Sequence, residues 1–352
     1  MTNFSSNTLA PSSNQSWFKG NGEICKGRIF YKIFSGGKYN YKFMFTNVID
    51  STFSDGSHSQ ANLKCDEWEI LSAAAMITKN ISADLDNCSQ TILKFGGVVS
   101  KRVIPGEIFY SDEIVLNCEK NDYICLEIEF RGYGKIPYME ETMIPTFVYC
   151  GGEWIESKLT PLCASVMCDR NVDKIIGFFG DSITEGIGVS KNSYAWWCAN
   201  IAEFLGDKNS YWDIGIGFGR ANDAASKGSW LNKAKMLDIV TVCFGVNDIC
   251  QGYNEIEVKN NLKTIVDELN NSGVRVILFT VPPFDYDKSK EIIWRNVNCY
   301  IKEELSKIVE VYDVVSIWGC EAPNEHKARY GGHPNEEGCL LLAKDFISKI
   351  KI

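Results

Sequence analysis

The hydrophobic pattern changes period halfway along the chain, and that change constrains the fold more than any other feature of the sequence. Early on, apolar and polar residues alternate. Tyr39, Tyr41, Phe43 and Phe45 are interleaved with Asn40, Lys42 and Met44 just after Gly36-Gly37. A period of two following a turn signal describes a strand with one buried face. Further strands are expected at 28–34, 91–95, 113–116, 124–130 and 146–149, separated by Gly, Asn, Asp and Pro clusters. The stretch Trp68 to Thr78 stands apart, because Ala73-Ala74-Ala75 favours a helix or lid there. Several short strands with turn signals between them predict an all-β sandwich. Its aromatics at period two read as core, with sugar binding as the alternative for any that are exposed.

Past 151–172 the runs become continuous. Apolar strands are expected at 174–179, 211–216, 237–244, 274–281 and 310–317, with helical patterns at 193–205, 254–270, 289–308 and 335–351. Uninterrupted apolar strands alternating with helices belong to a parallel sheet covered on both faces. Two domains follow, residues 1–165 as the sandwich and residues 166–352 as the α/β unit. A chain of 352 residues fits two domains and buries a large core without disulfides or metal.

Charge and cysteine usage exclude several function classes. The net charge is -9, and no Lys/Arg stripe is interleaved with aromatics, which argues against nucleic acid and anionic membranes as partners. The first sixteen residues are rich in Ser, Thr and Asn, with no basic start or apolar core, and no run of about 18 apolar residues occurs. A cytoplasmic setting is therefore expected, in which thiols stay reduced. The chain has 14 cysteines but no Cys-x-x-Cys, the nearest pairs being Cys163/Cys168, Cys118/Cys125 and Cys243/Cys250. They read as small buried hydrophobes rather than metal ligands.

Open parallel sheets carry their sites at the carboxyl ends of the strands. After the first α/β strand comes Gly180-Asp181-Ser182-Ile183-Thr184, with Ser182 opening the next helix. A serine there lies beside unpaired N–H groups suited to an oxyanion, or it simply caps the helix. After the second comes Gly215-Ile216-Gly217-Phe218-Gly219-Arg220, whose spacing fails the dinucleotide fingerprint Gly-x-Gly-x-x-Gly. After the third comes Gly245-Val246-Asn247-Asp248, where a side-chain amide is either an oxyanion donor or turn chemistry. Of the three histidines, His58 and His326 fall in polar loop segments, whereas His333 follows the last strand between Gly331-Gly332 and Pro334-Asn335.

These four blocks, in this order, resemble the SGNH (GDSL) hydrolases over about residues 173–352. The resemblance implies a flavodoxin-like three-layer α/β/α domain with a parallel sheet, here preceded by a jelly-roll-like sandwich. It implies Ser182 as nucleophile and His333 as general base. The oxyanion hole would take the N–H of Ser182, a glycine N–H from the second block, and the Asn247 side chain. It calls for no metal and no organic cofactor. The Gly-x-Ser-x-Gly elbow of α/β-hydrolases is not matched, since Thr184 holds the final glycine position.

Two departures stand out. The family places an aspartate three residues before the histidine, where this chain has Tyr330. Either Glu321, Glu325 or Asp313 orients His333, or a backbone carbonyl does so in a Ser-His dyad, as in two-domain carbohydrate esterases with an N-terminal sandwich. Phe218 falls where the oxyanion glycine is expected, leaving Gly219 or Gly217 to serve after a one-residue shift. The expected function is a serine esterase acting on a short-chain, acetyl-like ester of a carbohydrate or other polar alcohol. An acyltransferase of the same fold and a catalytically impaired carbohydrate-binding protein are the rival readings.

Overall fold

The computed structural model describes residues 4–51, 61–85, 88–139, 143–319, 329–330 and 332–352. The chain divides into two compact units. The first holds the described residues up to Asp50, Asn62–Asp173 and Ser210–Trp212; the second holds Lys174–Asn209 and Asp213–Ile352 with Ser51 and Ala61.

The first unit is built of antiparallel strands. One sheet orders Ser5–Ser6, Ser165–Cys168, Gly37–Thr46 and Ile108–Tyr110, with Ile114–Cys118 also paired to Gly37–Thr46. A larger sheet orders Glu153–Glu156, Thr146–Cys150, Cys25–Lys32, Tyr123–Gly132, Trp68–Thr78 and Gln90–Ile92. Tyr41, Phe43 and Phe45, the alternating aromatics of the sequence, are buried. Phe45 stacks on Phe109 at 5.1 Å, Phe109 meets Trp68 at 6.0 Å, and Trp68 meets Phe130 at 6.3 Å. The first two rings come from the smaller sheet and the last two from the larger, so this aromatic row joins the layers of a β-sandwich.

Two expectations are corrected here. Trp68–Thr78 is an eleven-residue strand, not a helix or lid. It pairs with Tyr123–Gly132 from Trp68 to Thr78, and Ala73 and Ala75 are buried opposite Ile128 and Leu126. Cross-strand pairing and burial outweigh the helical preference of three alanines. The division between the units falls at Asp173/Lys174 rather than at 165/166, because Ser165–Cys168 pair with Tyr41–Met44 inside the sandwich.

A five-stranded sheet, four of whose strands belong wholly to the second unit, is ordered Ser210–Asp213, Ile175–Gly180, Ile239–Cys243, Arg275–Phe279, Glu310–Tyr312. In chain order this is 2-1-3-4-5, the flavodoxin-like arrangement, with its switch point between the first and third strands. Phe179, Val242, Leu278 and Val311 lie side by side across four parallel strands. The helices are α1 (Ser182–Glu185), α2 (Trp197–Leu205), α3 (Ala221–Ala225), α4 (Ser229–Ala234), α5 (Val246–Cys250), α6 (Glu255–Asn271), α7 (Lys288–Glu303), α8 (Val315–Trp318) and α9 (Glu336–Lys349). Successive residues of one strand show why the runs are continuously apolar. Phe178 packs on Trp197 of α2 at 5.3 Å, and Phe179 packs on Trp230 of α4 at 4.9 Å. Both faces of the sheet are therefore covered, which makes three layers. Residues 310–317, expected as one strand, divide into the strand Glu310–Tyr312 and helix α8.

None of the thirteen described cysteines is in a disulfide, and eight are buried. Burial pushes the thiols of Cys198 and Cys243 well above the ordinary range, as suits side chains that act as apolar filler. Among the described residues no helix is long and apolar enough to cross a membrane.

Candidate active site

The strand Ile175–Gly180 ends in a turn that only glycine permits. A Cβ on Gly180 would sit 2.0 Å from Thr184 Oγ1 and 2.6 Å from the Cys243 carbonyl oxygen. Asp181 follows in extended backbone and caps α1, its Oδ1 accepting the Ile183 N–H at 3.0 Å. Ser182 is the first residue of α1, at the carboxyl edge of the sheet. Because α1 spans four residues, it offers a few oriented N–H groups rather than a macrodipole.

His333 comes from the other end of the unit. It lies two residues ahead of Asn335, whose side chain caps α9 by accepting the Gly338 N–H at 3.0 Å. Ser182 Oγ and His333 Nε2 are 2.9 Å apart, hydrogen-bonded across 151 residues of sequence. The ring of Phe284 stands edge-on to the imidazole at 5.9 Å. On its backbone side, Gly188 fits against His333 and Pro334.

The second block forms a turn in which Gly219 N–H donates to the Ile216 carbonyl at 3.1 Å. That hydrogen bond takes up the donor that Gly219 was expected to offer an oxyanion. Phe218 occupies the apex with φ 59°, a left-handed conformation that glycine adopts freely and other residues rarely do. Its side chain is 45% exposed. Asn247, on α5, donates from Nδ2 to the Gly219 carbonyl at 2.9 Å, leaving its second amide hydrogen for another acceptor. Ser182, Asn247 and the 216–219 turn therefore gather at the strand ends on either side of the topological switch point.

Asp313 is not against the imidazole. Its Oδ1 accepts from Thr280 Oγ1 at 3.0 Å and from the Val315 N–H at 3.2 Å, while Oδ2 pairs with Lys302 Nζ at 2.6 Å. Glu321 and Glu325 lie outside the described residues, as do His58 and His326. Tyr330, in place of the expected aspartate, packs its ring over Gly338 and lines an apolar cavity of about 10 Å³ with Ile183, Pro282, Pro283, Trp318 and Pro334. Among the described residues no cluster of three or more His, Cys, Asp or Glu is placed to hold a metal ion.

Three carboxyls near the strand ends, those of Asp181, Asp213 and Asp248, are buried. Burial pushes the carboxyl of Asp181 up to about 7, with the nearby Asp248 adding to the rise. Burial likewise lifts Asp248 to about 6 and holds Asp213 well above the usual carboxylate range. Gly188, Arg220, Asp223 and Asp248 belong to the site's scaffold without having been singled out from sequence. The available signal was Arg220, Asn222 and Asp223 close together directly after a glycine-rich turn.

The sequence matches the GDSL-like Lipase/Acylhydrolase family over residues 178–340. No curated protein sequence matches the chain. Among solved structures, a lipolytic G-D-S-L protein from Veillonella parvula DSM 2008 is 20% identical, with a TM-score of 0.42, covering 50% of this chain and 97% of its own. The acetyl xylan esterase AlAXEase is also 20% identical, with a TM-score of 0.40, covering 50% of this chain and 100% of its own. The salicylyl-acyltransferase SsfX3 from a tetracycline biosynthetic pathway is 13% identical, with a TM-score of 0.39, covering 86% of this chain and 79% of its own. The family match spans the blocks that hold Ser182, the glycine turn, Asn247 and His333, and the chain accordingly carries a GDSL-like lipase/acylhydrolase domain, a domain of carboxylic ester hydrolases.

Proposed function

We propose that the protein is a serine esterase that removes a short, acetyl-sized acyl group from a sugar or similar polar alcohol. The 2.9 Å hydrogen bond between Ser182 Oγ and His333 Nε2 carries this reading. A serine hydroxyl is a weak nucleophile until a positioned base takes its proton. In the first half-reaction, Ser182 Oγ attacks the ester carbonyl as its proton passes to His333 Nε2. The same proton then goes to the departing alcohol oxygen, leaving the acyl group on Ser182. Water attacks that ester in the second half-reaction, with His333 accepting the water proton and returning it to Ser182 Oγ as the acid leaves.

Negative charge on the tetrahedral oxygen would be met by the Ser182 N–H, the Asn247 amide and, with the Gly219 N–H bonded to Ile216, an N–H from Gly217 on the same turn. His333 acts in a dyad, its second ring nitrogen held by a backbone carbonyl. This assignment rests on Tyr330 standing in the usual place of the acid and on Asp313 being engaged elsewhere. The polar alcohol follows from the resemblance to two-domain carbohydrate esterases. The short acyl group is carried over from the same resemblance, and the ester panel below tests it.

The test is hydrolysis of p-nitrophenyl esters from acetyl to decanoyl by wild type and Ser182→Ala. Turnover of the acetate by wild type alone, falling with chain length, is the expected result. Absence of turnover and of any burst overturns the enzyme reading, and a profile favouring long chains replaces it with a lipase or thioesterase.

A further inference from the structure

Asn247 and Asp248, adjacent on α5, grip the same short segment at two points. Asn247 Nδ2 donates to the Gly219 carbonyl at 2.9 Å. Asp248 accepts the Ala221 N–H on Oδ2 at 2.8 Å and the Asn222 N–H on Oδ1 at 3.0 Å. Arg220, between those points, closes the ring. Its guanidinium makes a fork to Asp223, with Nε to Oδ2 at 3.0 Å and Nη2 to Oδ1 at 2.7 Å, while Nη1 donates to Gln251 Oε1 at the end of α5 at 2.8 Å. Asp223 Oδ2 also accepts from Ser51 Oγ at 2.5 Å. Arg220, Asp223 and Asp248 are all buried.

Three buried charges are costly in a fold unless hydrogen bonds satisfy them, and replacing such a group with an apolar core is often no less stable. The start of a five-residue helix does not by itself call for such a ring, since an ordinary Ser or Asp cap would serve α3. What the ring accomplishes is geometric. It ties residues 219–223 to residues 247–251, two segments 27 residues apart in sequence that both flank Ser182. Charge-assisted bonds of this kind are short and directional, so they hold position more tightly than apolar packing does.

We propose that Asp248 is a positioning residue for the oxyanion hole. It fixes the Ile216–Gly219 turn against Asn247, so that the turn's N–H and the Asn247 amide converge on one point. This inference rests on the esterase reading above. Asp248 does not touch the reacting atoms. Its loss shifts donors that matter most when the oxyanion forms, so it lowers kcat and leaves KM nearly unchanged.

The test uses the full chain with two variants. Asp248→Asn keeps the shape and one acceptor but turns an N–H donor toward a backbone N–H. Ala221→Pro deletes the N–H that Asp248 Oδ2 holds while leaving the carboxylate in place. Arg220 precedes it in extended backbone, φ -118° and ψ 152°, as a residue before proline requires, and the first helical position tolerates proline. For Asp248→Asn, kcat on p-nitrophenyl acetate falls by about 10- to 100-fold with KM within about 3-fold. Affinity for a trifluoromethyl ketone, which forms a tetrahedral adduct with the serine, falls in parallel, whereas an unreactive amide analogue binds as before. Ala221→Pro shows a smaller loss with the same split and decides the matter alone if Asp248→Asn does not fold. Unchanged kcat and ketone affinity in the folded variants, or a rise in KM alone, overturns the proposal. Turnover surviving in Ser182→Ala would instead overturn the esterase reading.

Discussion

Gly188 and His333 are in backbone-to-side-chain contact: a Cβ on Gly188 would lie 2.8 Å from His333 Cβ and 2.6 Å from the Pro334 carbonyl oxygen. Gly188 also has φ +109°, which other residues rarely adopt. The segment after α1 thus presses directly on the loop that aims the imidazole at Ser182. Gly188→Ala is expected to displace His333 by a fraction of an ångström and lower kcat on p-nitrophenyl acetate by about 10- to 100-fold. Thermal melting separates this from unfolding. A folded variant with wild-type kcat would show that the loop absorbs the methyl group elsewhere.

Phe218 carries a different form of strain. A non-glycine residue at φ 59° costs about 1 kcal/mol or somewhat more. Phe218→Gly should therefore melt roughly 2–4 °C higher, as about 1 kcal/mol does in a unit of this size. It should also lose kcat/KM, because the half-exposed ring is removed from the rim of the site. A variant less stable than wild type would mean that packing of the ring outweighs the backbone cost.

Asp181 sets a pH dependence of stability. Its carboxyl is raised from 3.8 to about 7, chiefly by burial. In the unfolded chain it ionises near 4, so between that pH and about 7 the folded state holds more protons than the unfolded one, and stability falls as pH rises. The contribution is complete below about 4 and is lost as pH rises through about 7. Asp248, raised to about 6, acts with the same sign. Asp181→Asn keeps the acceptor for the Ile183 N–H and removes the ionisation. Relative to wild type it should gain in melting temperature from pH 5 to pH 8. A constant difference across that range would place the Asp181 titration outside it.

How His333 is held distinguishes a dyad from a triad. Asp313→Asn is expected to leave kcat within about 3-fold, because both its oxygens serve Thr280, Val315 and Lys302. Glu321→Gln and Glu325→Gln should likewise keep most activity if a backbone carbonyl orients the ring. A loss above about 100-fold in one of them would identify that residue as the orienting acid.

Legibility in the sequence follows the range of the interactions. The switch from period two to continuous apolar runs reports which faces of each strand are buried, so both architectures were visible, with the five strands of the parallel sheet and the long strands Cys25–Lys32, Gly37–Thr46 and Tyr123–Gly132, whereas many of the short sandwich strands were not. Ser182 and Asn247 were legible as candidates because each stands in a local motif after a strand, and His333 because its motif precedes the last helix. Trp68–Thr78 was misread because three alanines carry a helical preference that only its partner strand Tyr123–Gly132 overrides. The grip of Asp248 on Ala221 and Asn222, and the fit of Gly188 against His333, join residues far apart in the chain. The left-handed turn at Phe218 was hidden for another reason: its neighbours, not its own preference, impose the conformation.

The Asn335 cap links enzyme chemistry to the fraying of a helix. With His333 only two residues upstream, opening of the first turn of α9 is expected to draw the imidazole away from Ser182. The Gly338 N–H that Asn335 holds is released in that same event. Hydrogen exchange at this one amide is then the measurement expected to track that opening, slowing together with any change that steadies the start of α9.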